Sequence, residues 1–192
     1  IDLALLDTQV AWLANQGMNY LVGGEPPARQ GTAHPNIVPY QALPTADGYL
    51  MLAVGNDRQF RACCQVLGEP GLATDSRFLN NALRVKHRQQ LIPRLEALLR
   101  CRGTAEWLRL LGEVKVPCGP INTLDQVFSD PQVAARGMRM DLPHPLAGSV
   151  PQVANPVRFS ATPVDYRGAP PLLGADTEAV LKWLAGETGG ST

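Results

Sequence analysis

Ile1-Asp2-Leu3-Ala4-Leu5-Leu6-Asp7 is the stretch on which the fold reading turns. Its near-continuous apolar run reads as a buried strand over Ile1 to Leu5. Asp7 then sits where a helix N-cap belongs, its carboxylate accepting from the first free amides of the next turn. A strand apolar on both faces needs neighbouring strands and a cover on each side. The next residues offer instead a helix through Val10, Trp12, Leu13 and Tyr20 that stops at Gly23-Gly24. A Pro- and Gly-rich crossover then runs from Glu25 to Pro39. The opening therefore reads as the later part of a larger α/β domain, with some of the chemistry expected ahead of Ile1.

Outward from that opening, Tyr40 to Leu43 and Tyr49 to Val54 flank Ala46-Asp47-Gly48 and read as a β-hairpin. Asn56, with Gln59 three residues on, opens a helix that turns Phe60, Cys63, Cys64 and Leu67 inward and ends at Gly68. Leu91, Ile92, Leu95, Leu98 and Leu99 recur at helical spacing, with Pro93 predicting a late start or a kink. Thr104 is expected to cap a helix carrying Trp107, Leu108 and Leu111. Thr123 and Asp130 read as two further caps, Pro131 standing at a first helical position. After Gly137 the texture changes. Met138 to Leu142, Ser149 to Val153 and Val157 to Phe159 read as short strands, Thr177 to Leu184 as a last helix, and residues 186–192 as a disordered tail. Helices beside short antiparallel strands make this an α+β arrangement.

Composition narrows the function. The 17 basic and 17 acidic residues cancel, which argues against a nucleic-acid-binding face. No apolar run approaches the roughly 20 residues that span a bilayer. Apolar residues make up 45% and charged residues 18%, so part of the surface is expected to be buried against something else. Cys63, Cys64, Cys101 and Cys118 lack any CxxC spacing, so neither a disulfide framework nor a zinc site is expected. Reduced thiols point to a cytoplasmic compartment, or a mitochondrial one in a eukaryote.

Three stretches stand out: Gly31-Thr32-Ala33-His34-Pro35-Asn36-Ile37-Val38-Pro39-Tyr40 after the opening, Val116-Pro117-Cys118-Gly119-Pro120-Ile121-Asn122-Thr123 with Asp130-Pro131 and Arg136-Gly137-Met138, and His144-Pro145-Leu146-Ala147-Gly148 with Pro171-Leu172-Leu173-Gly174-Ala175-Asp176-Thr177. In this order they resemble the C-terminal portion of the family III CoA transferases, the CaiB/BaiF family. The opening and the Gly31 to Tyr40 segment resemble most the succinate-dependent enzymes acting on glutarate or hydroxymethylglutarate.

The resemblance implies the α/β fold of that family. Residues 1–37 would end a Rossmann-like large domain and cross over, 38–137 would form a small α+β domain, and 138–192 would return to the large domain. It implies CoA thioesters as substrates, no prosthetic group and an interlocked homodimer. It also implies a mechanism in which an Asp carboxylate attacks the acyl-CoA and gives first a mixed anhydride, then an enzyme-CoA thioester. That Asp and most CoA contacts would lie upstream, so no catalytic residue is expected in this chain, which alone should be inactive. Asp2, Asp7, Asp47 and Asp130 read as joint, cap and turn residues. Two alternatives accompany this reading: an α-methylacyl-CoA racemase on the same fold, and a non-catalytic dimerisation or lid module.

Within the chain, the loop residues Arg29, Gly31 and His34 are the candidates for substrate binding, in a segment of the kind that closes over a bound acyl group. His34 would donate to an acceptor carboxylate, with a loop histidine bonded to backbone as the alternative. Arg29 would pair with the distal carboxylate of a dicarboxylic acid, which a guanidinium holds bidentately, with a solvated arginine as the alternative. His87, among Arg84, Lys86 and Arg88, reads as part of a solvated helix face, and His144 as structural. Cys118 lies in a rigid turn and is not expected to be a nucleophile. Asp176 stands where many relatives carry His and is expected to join the N-cap of the last helix.

Overall fold

A computed structural model describes residues 2–186, and the two ends beyond them, including most of the predicted tail, lie outside the described residues. The chain divides into two compact units at Ile121/Asn122.

The first unit is organised by β1 (Tyr40–Pro44), β2 (Tyr49–Ala53) and β3 (Cys118–Pro120), an antiparallel sheet with β2 central. Leu43 pairs with Leu50, and Leu52 with Cys118, so the predicted hairpin forms in register. Along β2 the buried positions alternate, Leu50 and Leu52 pointing into the core. Helices α3 (Asp57–Val66), α5 (Arg88–Leu99) and α6 (Thr104–Glu113) add Phe60, Leu91, Leu95, Trp107 and Leu111 to it. Each buries one stripe at the helical repeat. The indole of Trp107 donates to the Leu99 carbonyl at 2.6 Å, so its polar atom is satisfied inside the core.

Local chemistry explains the ends of these elements. The Asn56 carboxamide accepts from the Gln59 amide at 2.9 Å, and the Gln59 side chain accepts from Gly55 at 2.8 Å. At the other end Gly68 takes φ +78°, and the amides of Gly68 and Glu69 return to the carbonyls of Gln65 and Cys64. This is the left-handed helix stop that glycine permits without strain.

Several expectations are corrected. Asp2 to Ala4 form no strand, Ile1 lying outside the described residues: α1 (Leu5–Ala11) begins at Leu5, and Asp7 lies in its first turn while Ala4 holds the N-cap position without a side-chain bond. Leu, Ala and Gln are strong helix formers, and a lone apolar run does not distinguish strand from helix. The expected single helix is broken before α2 (Ala14–Gly23), where Ala14 takes φ +43°. Pro93 lies inside α5, which starts ahead of it at Arg88 and not after it. Thr104 is the first residue of α6 and not its cap; that role passes to Asp47 in the hairpin turn. The Asp47 carboxylate accepts from the Thr104 amide and hydroxyl, both at 2.8 Å. These bonds, the amide first, hold the Asp47 pKa below its ordinary value. Arg84 is not solvated: it sits on α4 (Asn81–Lys86), fully buried.

In the second unit α7 (Leu124–Ser129) starts where the Thr123 amide donates to Gln126. In α8 (Pro131–Ala135) Asp130 caps as expected, accepting from Gln132 and Val133. Strands β4 (Arg139–His144) and β5 (Gly148–Val153) form an antiparallel hairpin. His144 Nδ1 accepts the turn amides of Leu146 and Ala147, a structural role. Val157 to Phe159 is irregular, not a strand. Asn155 turns the chain by accepting the Val157 amide at 2.9 Å, and Pro156 has no amide to donate. The last helix, α9 (Thr177–Leu184), forms as expected, but Asp176 makes no side-chain capping bond.

Candidate functional site

The site is built on the loop between α2 and β1. Gly24 closes α2 in the left-handed region at φ +77°, and Gly31 takes φ +59° in the turn where Ala33 donates to the Gln30 carbonyl. An L side chain at Gly31 would be strained, so this glycine shapes the loop's backbone. The loop then folds back on β1: His34 donates to the Tyr40 carbonyl at 2.8 Å, and Ala42 donates to the Thr32 hydroxyl at 3.1 Å.

His34 is half-buried and stacks on Tyr40, with centroids 5.2 Å apart and planes 21° apart. Its Nδ1 accepts the Asn36 amide at 3.0 Å. In the neutral ring the proton therefore lies on Nε2, which is 3.2 Å from the side-chain nitrogen of Asn15 on α2, so the two pair only with the Asn15 amide turned over. The Asn15 oxygen is the atom that suits that donor. Beside it, Asn19 and Asn36 exchange amide bonds, the shorter at 3.0 Å. His34 is thus held by backbone on one nitrogen and keeps one donor on the other.

Helices α4 and α5 supply the rest of the frame, through residues whose sequence context points to solvent or gives no signal. Asn81 accepts from the Val38 amide at 3.1 Å and donates to the Asn36 carbonyl at 2.7 Å. Arg84 donates to the Val38 and Phe78 carbonyls and to Asp57 at 2.8 Å, with its guanidinium 4.4 Å from the Phe60 ring centre. Arg88 donates to the Gln30 side chain and to the carbonyls of His34 and Pro35. Asn81 and Arg84 lie three apart on α4 and reach the same stretch of loop, whereas Arg88 reaches it from the start of α5, a placement that only the packed helices supply.

Between the loop and α5 lies an open cleft of about 700 Å³. Arg29, Gln30 and Arg88 give it polar walls, and Val85, Ile92 and Pro93 apolar ones. Arg29 is exposed and forms no ion pair with a described residue. Gly31 and His34 belong to the same loop but do not line the cleft. The three candidates therefore share a segment, with Arg29 alone on the cleft wall.

Thiol chemistry is disfavoured. Burial pushes the Cys63, Cys64 and Cys118 thiols up, Cys64 to about 11, so all three stay protonated near neutrality. Among the described residues there is no group of three or more side chains suited to hold a metal ion. None of the described helices is long and apolar enough to cross a membrane.

Comparison with known proteins places this loop in a family. Residues 1–177 match the model for CoA-transferase family III. A succinate–glutarate CoA-transferase of Agrobacterium fabrum is 46% identical over 184 residues, covering 96% of this chain and 46% of its own length. The mouse succinyl-CoA:glutarate CoA-transferase is 42% identical, covering 95% of this chain and 42% of its own length. The crystal structure of a CAIB/BAIF family protein from Brucella suis superposes with a TM-score of 0.78 at 42% identity, covering 96% of this chain and 47% of that one. The chain belongs to CoA-transferase family III and has that family's fold. It spans less than half the length of these curated relatives.

Proposed function

We propose that this chain is the C-terminal part of an acyl-CoA:carboxylate CoA transferase whose acceptor is a dicarboxylic acid. The observation that carries the reading is Arg29, an unpaired guanidinium on a cleft with apolar walls, in a chain 46% identical to a succinate–glutarate CoA-transferase. A guanidinium fork matches a carboxylate, and Val85, Ile92 and Pro93 suit a short methylene chain.

In the proposed reaction an Asp carboxylate outside residues 1–192 attacks the donor thioester, giving a mixed anhydride and CoA thiolate. The thiolate attacks the aspartyl carbonyl, releasing the donor acid and leaving an enzyme-CoA thioester. The acceptor carboxylate displaces CoA to form a second anhydride, and the thiolate then takes the acceptor acyl group and restores the Asp. Each step exchanges one acyl bond for another, which divides a hard transfer into easier ones. Arg29 would hold the acceptor's distal carboxylate, and His34 Nε2–H, released from Asn15, would meet its reacting end. Gly31 would provide the backbone path between them. The assembly proposed is an interlocked homodimer in the cytoplasm, or in the mitochondrion of a eukaryote.

The test uses the intact reading frame that contains this chain. It is incubated with succinyl-CoA and a panel of mono- and dicarboxylic acids, and new acyl-CoA species are read by mass. Appearance of glutaryl-CoA is expected, and residues 1–192 alone are expected to give none. Absence of any new thioester with the intact frame overturns the reading. Turnover by residues 1–192 overturns the assignment of the nucleophile.

A further inference from the structure

Arg88 differs from the other charged residues around the loop. Arg84 is buried and ion-paired with Asp57, a structural guanidinium by both measures. Arg88 is half-buried and has no carboxylate partner among the described residues. Instead Nη1 donates to the Gln30 side-chain oxygen at 2.9 Å, and Nη2 donates to the His34 and Pro35 carbonyls at 3.2 and 2.6 Å. All three bonds go to one short segment, and a charged donor makes each stronger than a neutral one would. Three of the five N–H groups of a guanidinium are thereby committed.

The division of labour along the loop is equally specific. Its C-terminal end, Asn36 to Val38, is pinned by Asn81 and Arg84. Its N-terminal end, Gln30 to Pro35, is tied to α5 by Arg88. Arg29 adjoins Gln30, and the His34 carbonyl is itself a ligand of Arg88. We propose that Arg88 is the positioning residue of this loop, setting Arg29 and His34 for acceptor recognition through its bonds to Gln30, His34 and Pro35. This rests on the roles proposed for Arg29 and His34 in holding the acceptor.

The test uses the intact transferase, with succinyl-CoA as donor and glutarate as acceptor. In Arg88→Met the glutarate KM is expected to rise about 10- to 100-fold, the range a misplaced binding group produces. The succinyl-CoA KM should stay near wild type, and Arg88→Lys should recover part of the loss. Arg29→Met and His34→Ala are then each combined with Arg88→Met. Coupled groups are non-additive, so one double variant should be little worse than its Arg29 or His34 parent. Hydrogen exchange supplies a readout independent of turnover: in Arg88→Met the Ala33 and His34 amides should exchange faster, and the Val54 amide should not. Additive effects in both double variants overturn the proposal, as does an equal rise in both KM values or unchanged exchange at Ala33 and His34. Failure of the wild-type enzyme to transfer CoA would instead defeat the functional reading, before any variant is compared.

Discussion

Helices α5 and α2 carry similar apolar side chains and use them in opposite ways. On α5, Leu91, Leu95 and Leu99 are completely buried against the sheet and its neighbouring helices. On α2, Met18, Leu21 and Val22 all face outward, Leu21 at 75% exposure, and no residue of the helix is buried. Side-chain hydrogen bonds tie α2 to the loop that carries His34, through Asn15 and Asn19. The difference teaches that an apolar helix face states a need for cover, whereas burial states that the cover lies within the same unit. The described part of the first unit covers α5 and leaves α2 open.

That contrast breaks most visibly in the core. Leu95→Ala should cost about 2–5 kcal/mol of unfolding free energy, the range for emptying a fully buried leucine site. Urea denaturation measures it, and a loss well below that range would place α5 nearer to α2 in character. Arg84→Met comes next. It leaves the Val38 and Phe78 carbonyls without their donor, at a cost of about 2–3 kcal/mol. The same titration should show it, and glutarate binding by the intact enzyme should weaken with it because Val38 anchors the loop.

Two carboxylates sharpen the comparison by pH. Hydrogen bonds from the Arg77 guanidinium and then from its amide lower Asp75 to about 2, and Thr104 lowers Asp47. A depressed folded pKa gives stability that is present above the ordinary carboxylate range and lost as pH falls through the folded value. Asp75→Asn and Asp47→Asn should therefore lower Tm at pH 7. Their deficits should shrink on acidification, the Asp75 deficit persisting until pH nears 2. A deficit independent of pH would mean that geometry and not charge holds these turns. The smallest effect is expected on α2: Leu21→Ser in residues 1–192 should change stability by less than about 0.5 kcal/mol, as for an exposed surface position. A loss of core size there would show that α2 is packed after all.

Much of the fold was legible because its signals are local. Asn56 with Gln59, Asp130 before Pro131, and Gly68 announce helix ends through bonds to residues within a few positions. The hairpin at Tyr40 to Ala53 arises from alternation around an Asp-Gly turn. The opening misled because Leu-Ala-Leu-Leu satisfies strand and helix patterns equally, and nothing nearby in the chain arbitrates. Of the candidate site, Arg29, Gly31 and His34 were legible as a loop of small residues around two functional groups. The frame that holds it was read as solvent-facing, since a run of Arg, Lys and His is most often that.

The sequence by itself determined the family, through ordered motifs, and the helices and turns whose stabilising partners lie next to them in the chain. Tertiary structure alone decided that Asp47 caps a helix 57 residues away, and that Arg84 and Arg88 reach back 46 and 54 residues to Val38 and His34. The physical reason is that a polar side chain has no preferred partner in a one-dimensional pattern. Its partner is set by which backbone carbonyls the packed core brings within about 3 Å and leaves without other donors.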